Sequence, residues 1–334
     1  MMFRESALSR QISDVLSQVL PRKVTLAEER PEQRNPPPGS IVNRSFTRKG
    51  IAMKNLNASI SRRSLLASAC AGLGLIALGG LTGCGGAGVD DDSVLTVAAS
   101  PAPHAEILTD FAAPLLAEQG IELKVKEYTD YIQPNKDTTS GSVDANYFQH
   151  ITYLENYNVE NGTDLVSAGL IHYEPFAVYA GTSSDLDAIA DGATIAVPND
   201  PTNEGRALLL LQDLGLITLK DPENLESTPK DIADNPYGIK FQELEAAALP
   251  RALSSVDFAV INGNYAIEAG YHVADALAHE SSDSLAVEKY ANIICVAKGN
   301  EDSKAVKALV EVLTSEDFKA YLEKSYGEDV LPAF

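Results

Sequence analysis

The stretch TIAVPNDPTNEGRALLLLQDLG, residues 194–215, decides the fold. Its opening, Thr194 to Pro198, is a short apolar run that reads as a buried strand. Pro201 presets the first turn of a helix, and the apolar-periodic run from Thr202 to Leu214 continues that helix until Gly215 stops it. A strand that leads straight into a helix is the repeating step of α/β proteins.

The same step recurs on both sides. Val94 to Ala98 reads as a strand, followed by a helix from about Ala105 to Glu118 that Gly120 ends. Glu122 to Tyr128 alternates as a second strand, and Asp144 to Gln149 reads as a third after a short helix. Val166 to Tyr179 is extended but interrupted by Pro175. Val256 to Asn262 and Tyr290 to Val296 complete the strands, and two helices close the chain, Ser303 to Leu313 and Ser315 to Lys324. The alternation predicts an α/β fold with mainly parallel sheets. About 250 residues follow Cys84, which suits two lobes better than one.

The chain has 334 residues, 45% apolar and 22% charged, which is ordinary globular usage. Its net charge of −21 is unevenly spread. Residues 1–83 hold twelve Lys and Arg against five Asp and Glu, leaving fourteen basic and forty-two acidic residues for the remainder. So acidic a body repels nucleic acid, which is excluded as a partner. Cysteines stand at 70, 84 and 295 only, too few for a disulfide framework or a metal cluster. Cys295, inside an apolar run, reads as a small buried side chain.

Residues 1–52 lack sustained periodicity, and the three prolines at 36–38 cannot continue a helix. They read as a disordered extension or as sequence upstream of the true start, with Met53 the initiator. Residues 53–83 have the layout of an export signal: a basic start ending in Arg62 and Arg63, an apolar run from Leu65 to Leu81, then small residues. The run is at the short end for a membrane span, which favours cleavage. Leu81-Thr82-Gly83-Cys84 resembles the lipobox of bacterial lipoproteins, whose cysteine carries the lipid, palmitate included, and becomes the first mature residue. The arginine pair resembles a twin-arginine signal only in part, which leaves Sec export open. Residues 84–93 form a Gly and Asp tether.

No catalytic signature stands out. GxGxxG after a strand, GxxxxGK[ST], HExxH and GxSxG are all missing, and the five histidines (104, 150, 172, 272 and 279) show no short metal-ligand spacing. The expectation is therefore no enzyme, no metal and no cofactor. Arginine is scarce after Cys84, with only Arg206 and Arg251. Arg206 lies in the first turns of the helix after Pro201, where a guanidinium and a helix N-terminus together suit a ligand carboxylate. An ion pair with one of the many acids is the competing reading. Tyr147, Phe148, His150, Tyr153 and Tyr157 crowd one segment, as an apolar ligand wall or as core.

Several stretches, in order from about residue 94 to 334, resemble the NlpA family of methionine-binding lipoproteins. They are Pro103 to Leu108, Asp130 to Asn135, Asp144 to His150, Pro198 to Arg206, Glu243 to Ala246, Leu249 to Ala252 and Val260 to Ala266. The resemblance implies a two-lobed, periplasmic-binding-protein-like (type II) fold with a ligand cleft between the lobes. The first lobe would span 94–180 and 289–334, the second 181–288. It implies capture of methionine, L or D, on the extracytoplasmic face of the cell membrane, with delivery to an ABC permease and its ATPase. By the same resemblance Arg206 binds the ligand carboxylate, Asn262 and Asn203 its polar groups, and Tyr131, Phe148 and His150 its side chain. The family's His-x-Pro-Tyr is here His150-Ile-Thr-Tyr153, with Thr152 in place of proline. Glu174, near the crossing between lobes, and Arg251, beside Glu243 and Glu245, stay outside this set. A receptor for a methionine-containing dipeptide is the alternative, and an exported hydrolase or adhesion protein is the rival of another class.

Overall fold

The computed structural model describes residues 93–281 and 284–334. The upstream extension, the export signal and Cys84 lie outside the described residues, as does all of the tether except Ser93. No helix among the described residues is long and apolar enough to cross a membrane.

In chain order the strands are β1 (Val94–Ala99), β2 (Glu122–Glu127), β3 (Ala145–Tyr147), β4 (Val166–Tyr173), β5 (Ala177–Ala180), β6 (Thr194–Pro198), β7 (Thr218–Leu219), β8 (Ile232–Asp234), β9 (Lys240–Leu244), β10 (Phe258–Ile261), β11 (Ala278–His279), β12 (Asn292–Val296) and β13 (Leu331–Pro332). One sheet has the order β13-β4-β12-β3-β1-β2, a second has β11-β5-β10-β6-β9, and β7 pairs with β8 alone. Each of the two larger sheets is the floor of one lobe.

Both sheets are mixed, which corrects the expectation of mainly parallel ones. β1 runs parallel to β2 and β3, and β6 to β9 and β10, each pair joined through a helical crossover. β12 is antiparallel to β3 and β4, and β5 to β10 and β11. β4, β5 and β12 carry the chain between sheets, so no right-handed crossover dictates their direction. β4 ends in the first sheet at Tyr173 and β5 begins in the second at Ala177, so the chain crosses at residues 174–176. The crossing expected after residue 180 is therefore earlier, at Pro175.

Burial follows from helices on both faces of each sheet. β10 and β12 are buried along their whole length and read as apolar runs, Phe-Ala-Val-Ile and, after Asn292, Ile-Ile-Cys-Val. Val178 of β5 joins the cluster with Val197, Leu211 and Phe258, whereas its neighbours Ala177 and Tyr179 join Leu249, Ile261 and Tyr265 on the opposite face. The first lobe gathers Val97, Leu108, Leu116, Ile294, Leu309 and Phe318. Cys295 is fully buried, and burial pushes its thiol pKa up to about 12, which makes it an inert core residue.

The helix Pro201–Asp213 starts where its sequence requires. The Asp200 carboxylate accepts from the Asn203 backbone N–H at 3.0 Å, and Pro201 occupies the first turn. Gly205 lets this helix touch the 225 loop: a Cβ there would lie 2.1 Å from the Leu225 carbonyl oxygen and 2.6 Å from its carbon. Gly205→Ala is therefore expected to cost about 1–3 kcal/mol of stability through overpacking against backbone. Urea unfolding beside the wild type measures it, and an unchanged midpoint would show that the 225 loop yields freely.

Candidate ligand-binding site

A cleft of about 330 Å³, mouth included, opens between the lobes. It lies at the carboxyl ends of the strands, where open α/β sheets place their ligands. β3 leads into Phe148 and His150, β4 into Glu174, β6 into Asn203 and Arg206, and β10 into Asn262 and Asn264. Asn292, the first residue of antiparallel β12, reaches the same end.

The polar side chains are oriented by a chain of hydrogen bonds. His150 is the N-cap of the helix Ile151–Asn161, and its Nδ1 accepts from the Tyr153 backbone N–H at 3.0 Å. The ring proton is therefore on Nε2, which donates to Asn203 Oδ1 at 3.2 Å. The same oxygen accepts from Asn262 Nδ2 at 2.9 Å, while Asn203 Nδ2 donates to Asp200. Asn262 Oδ1 is then left buried with no partner among the described residues. Asn264 is its complement: Tyr131 Oη donates to its Oδ1 at 2.5 Å, and its Nδ2 is buried and unpartnered.

Arg206 is only 5% exposed. Its Nε donates to Glu280 Oε1 at 2.8 Å and its Nη2 to Glu280 Oε2 at 2.6 Å, with a further bond from Nη2 to the Glu174 carbonyl at 2.9 Å. The guanidinium carbon lies 4.3 Å from the centre of the Tyr290 ring and 4.8 Å from that of Phe176. Burial works against its charge, but Glu280 more than offsets this and holds the pKa above the usual arginine value. Nη1 makes no hydrogen bond to a described residue. Arg206 lines the cleft, and Nη1 is the one nitrogen of its guanidinium without such a bond.

Glu174 supplies the opposite charge, 6% exposed. His172 Nε2 donates to its Oε1 at 2.7 Å, and His172 Nδ1 is hydrogen-bonded to Tyr147 Oη. His104 Nε2 lies 3.6 Å from the same oxygen and donates to Asn292 Oδ1 at 3.0 Å. Burial alone would raise the Glu174 pKa; the bonds from His172 and the Asn264 backbone N–H outweigh it and hold the carboxyl below its usual range. Gly263 makes room for this side chain, since a Cβ there would sit 2.6 Å from Glu174 Cβ. His104, His172 and Glu174 have ligand atoms within 4.8 Å of one another, so an ion could be held there, but the His172 Nε2 already donates to Glu174 and the His104 Nε2 to Asn292.

Aromatic rings close the other wall. Tyr131 lies 5.8 Å from Phe148 and 5.9 Å from Tyr153, ring centre to ring centre. Tyr147 points away, into the buried histidine cluster, and Tyr157 packs in the core with Leu154 and Ile293.

A profile for NlpA lipoproteins matches residues 95–334, most of the chain. The chain belongs to the NlpA lipoprotein family. It is 45% identical over 244 residues to the methionine-binding lipoprotein MetQ of Bacillus subtilis, covering 71% of this chain and 87% of that one. Among solved structures it is similar to a nutrient binding protein from Burkholderia cenocepacia bound to methionine: 40% identity, TM-score 0.67, 72% of this chain and all of the other. Lipoprotein Tp32 of Treponema pallidum matches at 39% identity and TM-score 0.68, covering 72% of this chain and 98% of that one.

For this NlpA-family chain, all six residues expected at the site, Tyr131, Phe148, His150, Asn203, Arg206 and Asn262, line one cleft. Glu174, which stays outside the set expected from the sequence, and Asn292, which carries no signal beyond its place in a strand, line it too. Arg251 lies outside, on an exposed groove with Thr129 and Tyr265, and forms no ion pair with Glu243 or Glu245.

Burial lowers the pKa of His104 to about 4, and that of His150 to about 3 with help from the Arg206 charge. The hydrogen bond with Asp329 raises that of exposed His272. The unfolded chain takes up protons on the first two rings below pH 6.5, so their contribution to stability is full above that pH and drains as pH falls toward 4. Imidazole NMR at pH 5 is expected to find His104 and His150 neutral and His272 charged. A charged His150 at that pH would contradict its assigned bonds.

Proposed function

We propose that this chain captures methionine outside the cytoplasm and hands it to an ABC importer, without chemical change. One observation carries the reading: a single buried cleft presents the guanidinium of Arg206, the carboxylate of Glu174 and the unpartnered amide oxygen of Asn262. A zwitterionic amino acid satisfies all three at once, its carboxylate at Arg206 Nη1 and Asn264 Nδ2, its ammonium at Glu174 and Asn262 Oδ1. Tyr131, Phe148 and Tyr153 then meet its side chain, and a thioether packs well against aromatic edges. The names of the relatives support the choice of methionine among amino acids.

Among the described residues no Ser, Thr, Cys or Lys lines the cleft. Lipid attachment at Cys84 would keep the receptor near a permease and its ATPase, and the signal layout of residues 53–83 supports that placement.

Calorimetric titration with L-methionine tests the site assignment. Arg206→Ala is expected to weaken binding at least about a hundredfold, as for other truncations that leave a buried charge unpaired. Circular dichroism checks that the variant is folded. Wild-type affinity in the folded variant would refute the role given to Arg206.

A further inference from the structure

Glu280 has no place in the reading so far except as the counterion of Arg206, yet its carboxylate is the most connected group around the cleft. Oε1 accepts from Arg206 Nε at 2.8 Å. Oε2 accepts from Arg206 Nη2 at 2.6 Å, from Tyr173 Oη at 2.7 Å and from the Phe176 backbone N–H at 3.1 Å. The Glu280 backbone N–H returns a bond to the Phe176 carbonyl at 2.9 Å, continuing the β5–β11 pairing. One residue of the second lobe thus grips the cation of the site and both sides of the crossing that carries Glu174.

We infer that Glu280 is a positioning residue for ligand capture: it holds the Arg206 fork so that only Nη1 faces the cleft, and sets the spacing between Arg206 and Glu174. This rests on the reading that Arg206 binds the ligand carboxylate. The geometry leaves little else to hold that orientation. Tyr290 and Phe176 flank the guanidinium plane and fix its tilt, but flat rings permit rotation within the plane. The Nε and Nη2 bonds to one carboxylate stop that rotation, because a bidentate pair has a single in-plane register. The bond from Nη2 to the Glu174 carbonyl then ties the register to the crossing.

Without Glu280 the guanidinium would carry more unbalanced positive charge, which attracts a carboxylate. It would also have two buried donors to satisfy, and turning in its plane to do so removes Nη1 from the ligand. In so enclosed a site the loss of orientation outweighs the gain in potential, because a charge-assisted bond weakens steeply when misaligned. Binding should therefore weaken.

The test compares wild type, Glu280→Ala, Glu280→Gln and Arg206→Ala in full-length, ligand-stripped protein. Calorimetry gives the Kd for L-methionine. Nitrogen-15 NMR follows the Arg206 Nε–H, identified by its disappearance in Arg206→Ala. The expected result is a Kd raised about tenfold or more in Glu280→Ala and less in Glu280→Gln, which keeps one acceptor oxygen. The Nε–H signal, protected from exchange in the wild type, should shift and exchange faster in both. If Glu280→Ala fails to fold, Glu280→Gln alone decides. A Kd within twofold of wild type in the folded Glu280 variants, with Arg206→Ala impaired, would overturn the inference and leave the carboxylate reading standing. A weakened Kd with an unmoved Nε–H signal would also overturn it, since a general loss of structure would then suffice. An unimpaired Arg206→Ala would overturn the carboxylate reading and this inference together.

Discussion

A guanidinium buried between two lobes is the constraint on which the rest depends. Removing Arg206 from water costs several kcal/mol unless anions and hydrogen-bond acceptors replace its hydration. Glu280 and the Glu174 carbonyl replace part of it. Nη1 has no hydrogen bond to a described residue, and with the unpartnered Asn262 Oδ1 and Asn264 Nδ2 it leaves polar groups beside the cleft that a polar ligand could satisfy. Buried polar groups without partners cost free energy that a ligand pairing with them removes.

The neutral state of His104 and His150 has the same origin in burial. His150 is held neutral mainly by burial and secondarily by Arg206, and in that form it can cap its helix through Nδ1 while steering Asn203 through Nε2. Asn203 in turn sets which end of Asn262 faces the cleft. The orientation of the site's acceptor, Asn262 Oδ1, is thus set through Asn203 by the capping residue His150. Glu174 remains ionised for a comparable reason, since His172 and a backbone N–H stabilise its charge where burial would remove it. The lobes meet over this network: Tyr131 of the first donates to Asn264 of the second, and Tyr265 of the second donates to the Thr129 carbonyl of the first.

Much of this was legible in the chain, and the failures share a cause. β6 and its helix were marked by local signals, Pro201 and Gly215, and β1, β10 and β12 by short apolar runs. β9 was not, because an edge strand with the sequence Lys-Phe-Gln-Glu-Leu has one buried face at most and little apolar content. Strand direction is a property of distant partners, so the antiparallel crossings were invisible. The site divides in the same way. Arg206 was conspicuous because arginine is so scarce, and the family resemblance supplied Tyr131, Phe148, His150, Asn203 and Asn262. Glu280 and Asn292 lie in segments without a motif, and the meeting of His104, His172 and Glu174 needs residues up to 70 positions apart. Spacing in sequence could not bring them together.

The central claim is that the cleft recognises a free amino acid by both of its charges. Calorimetry on ligand-stripped protein with three compounds tests it most directly: L-methionine, methioninol, which lacks the carboxylate, and N-acetylmethionine, which lacks the ammonium. Methionine is expected to bind one-to-one, and each of the other two to bind at least about a hundredfold more weakly. Binding of either analogue within a few-fold of methionine would contradict it.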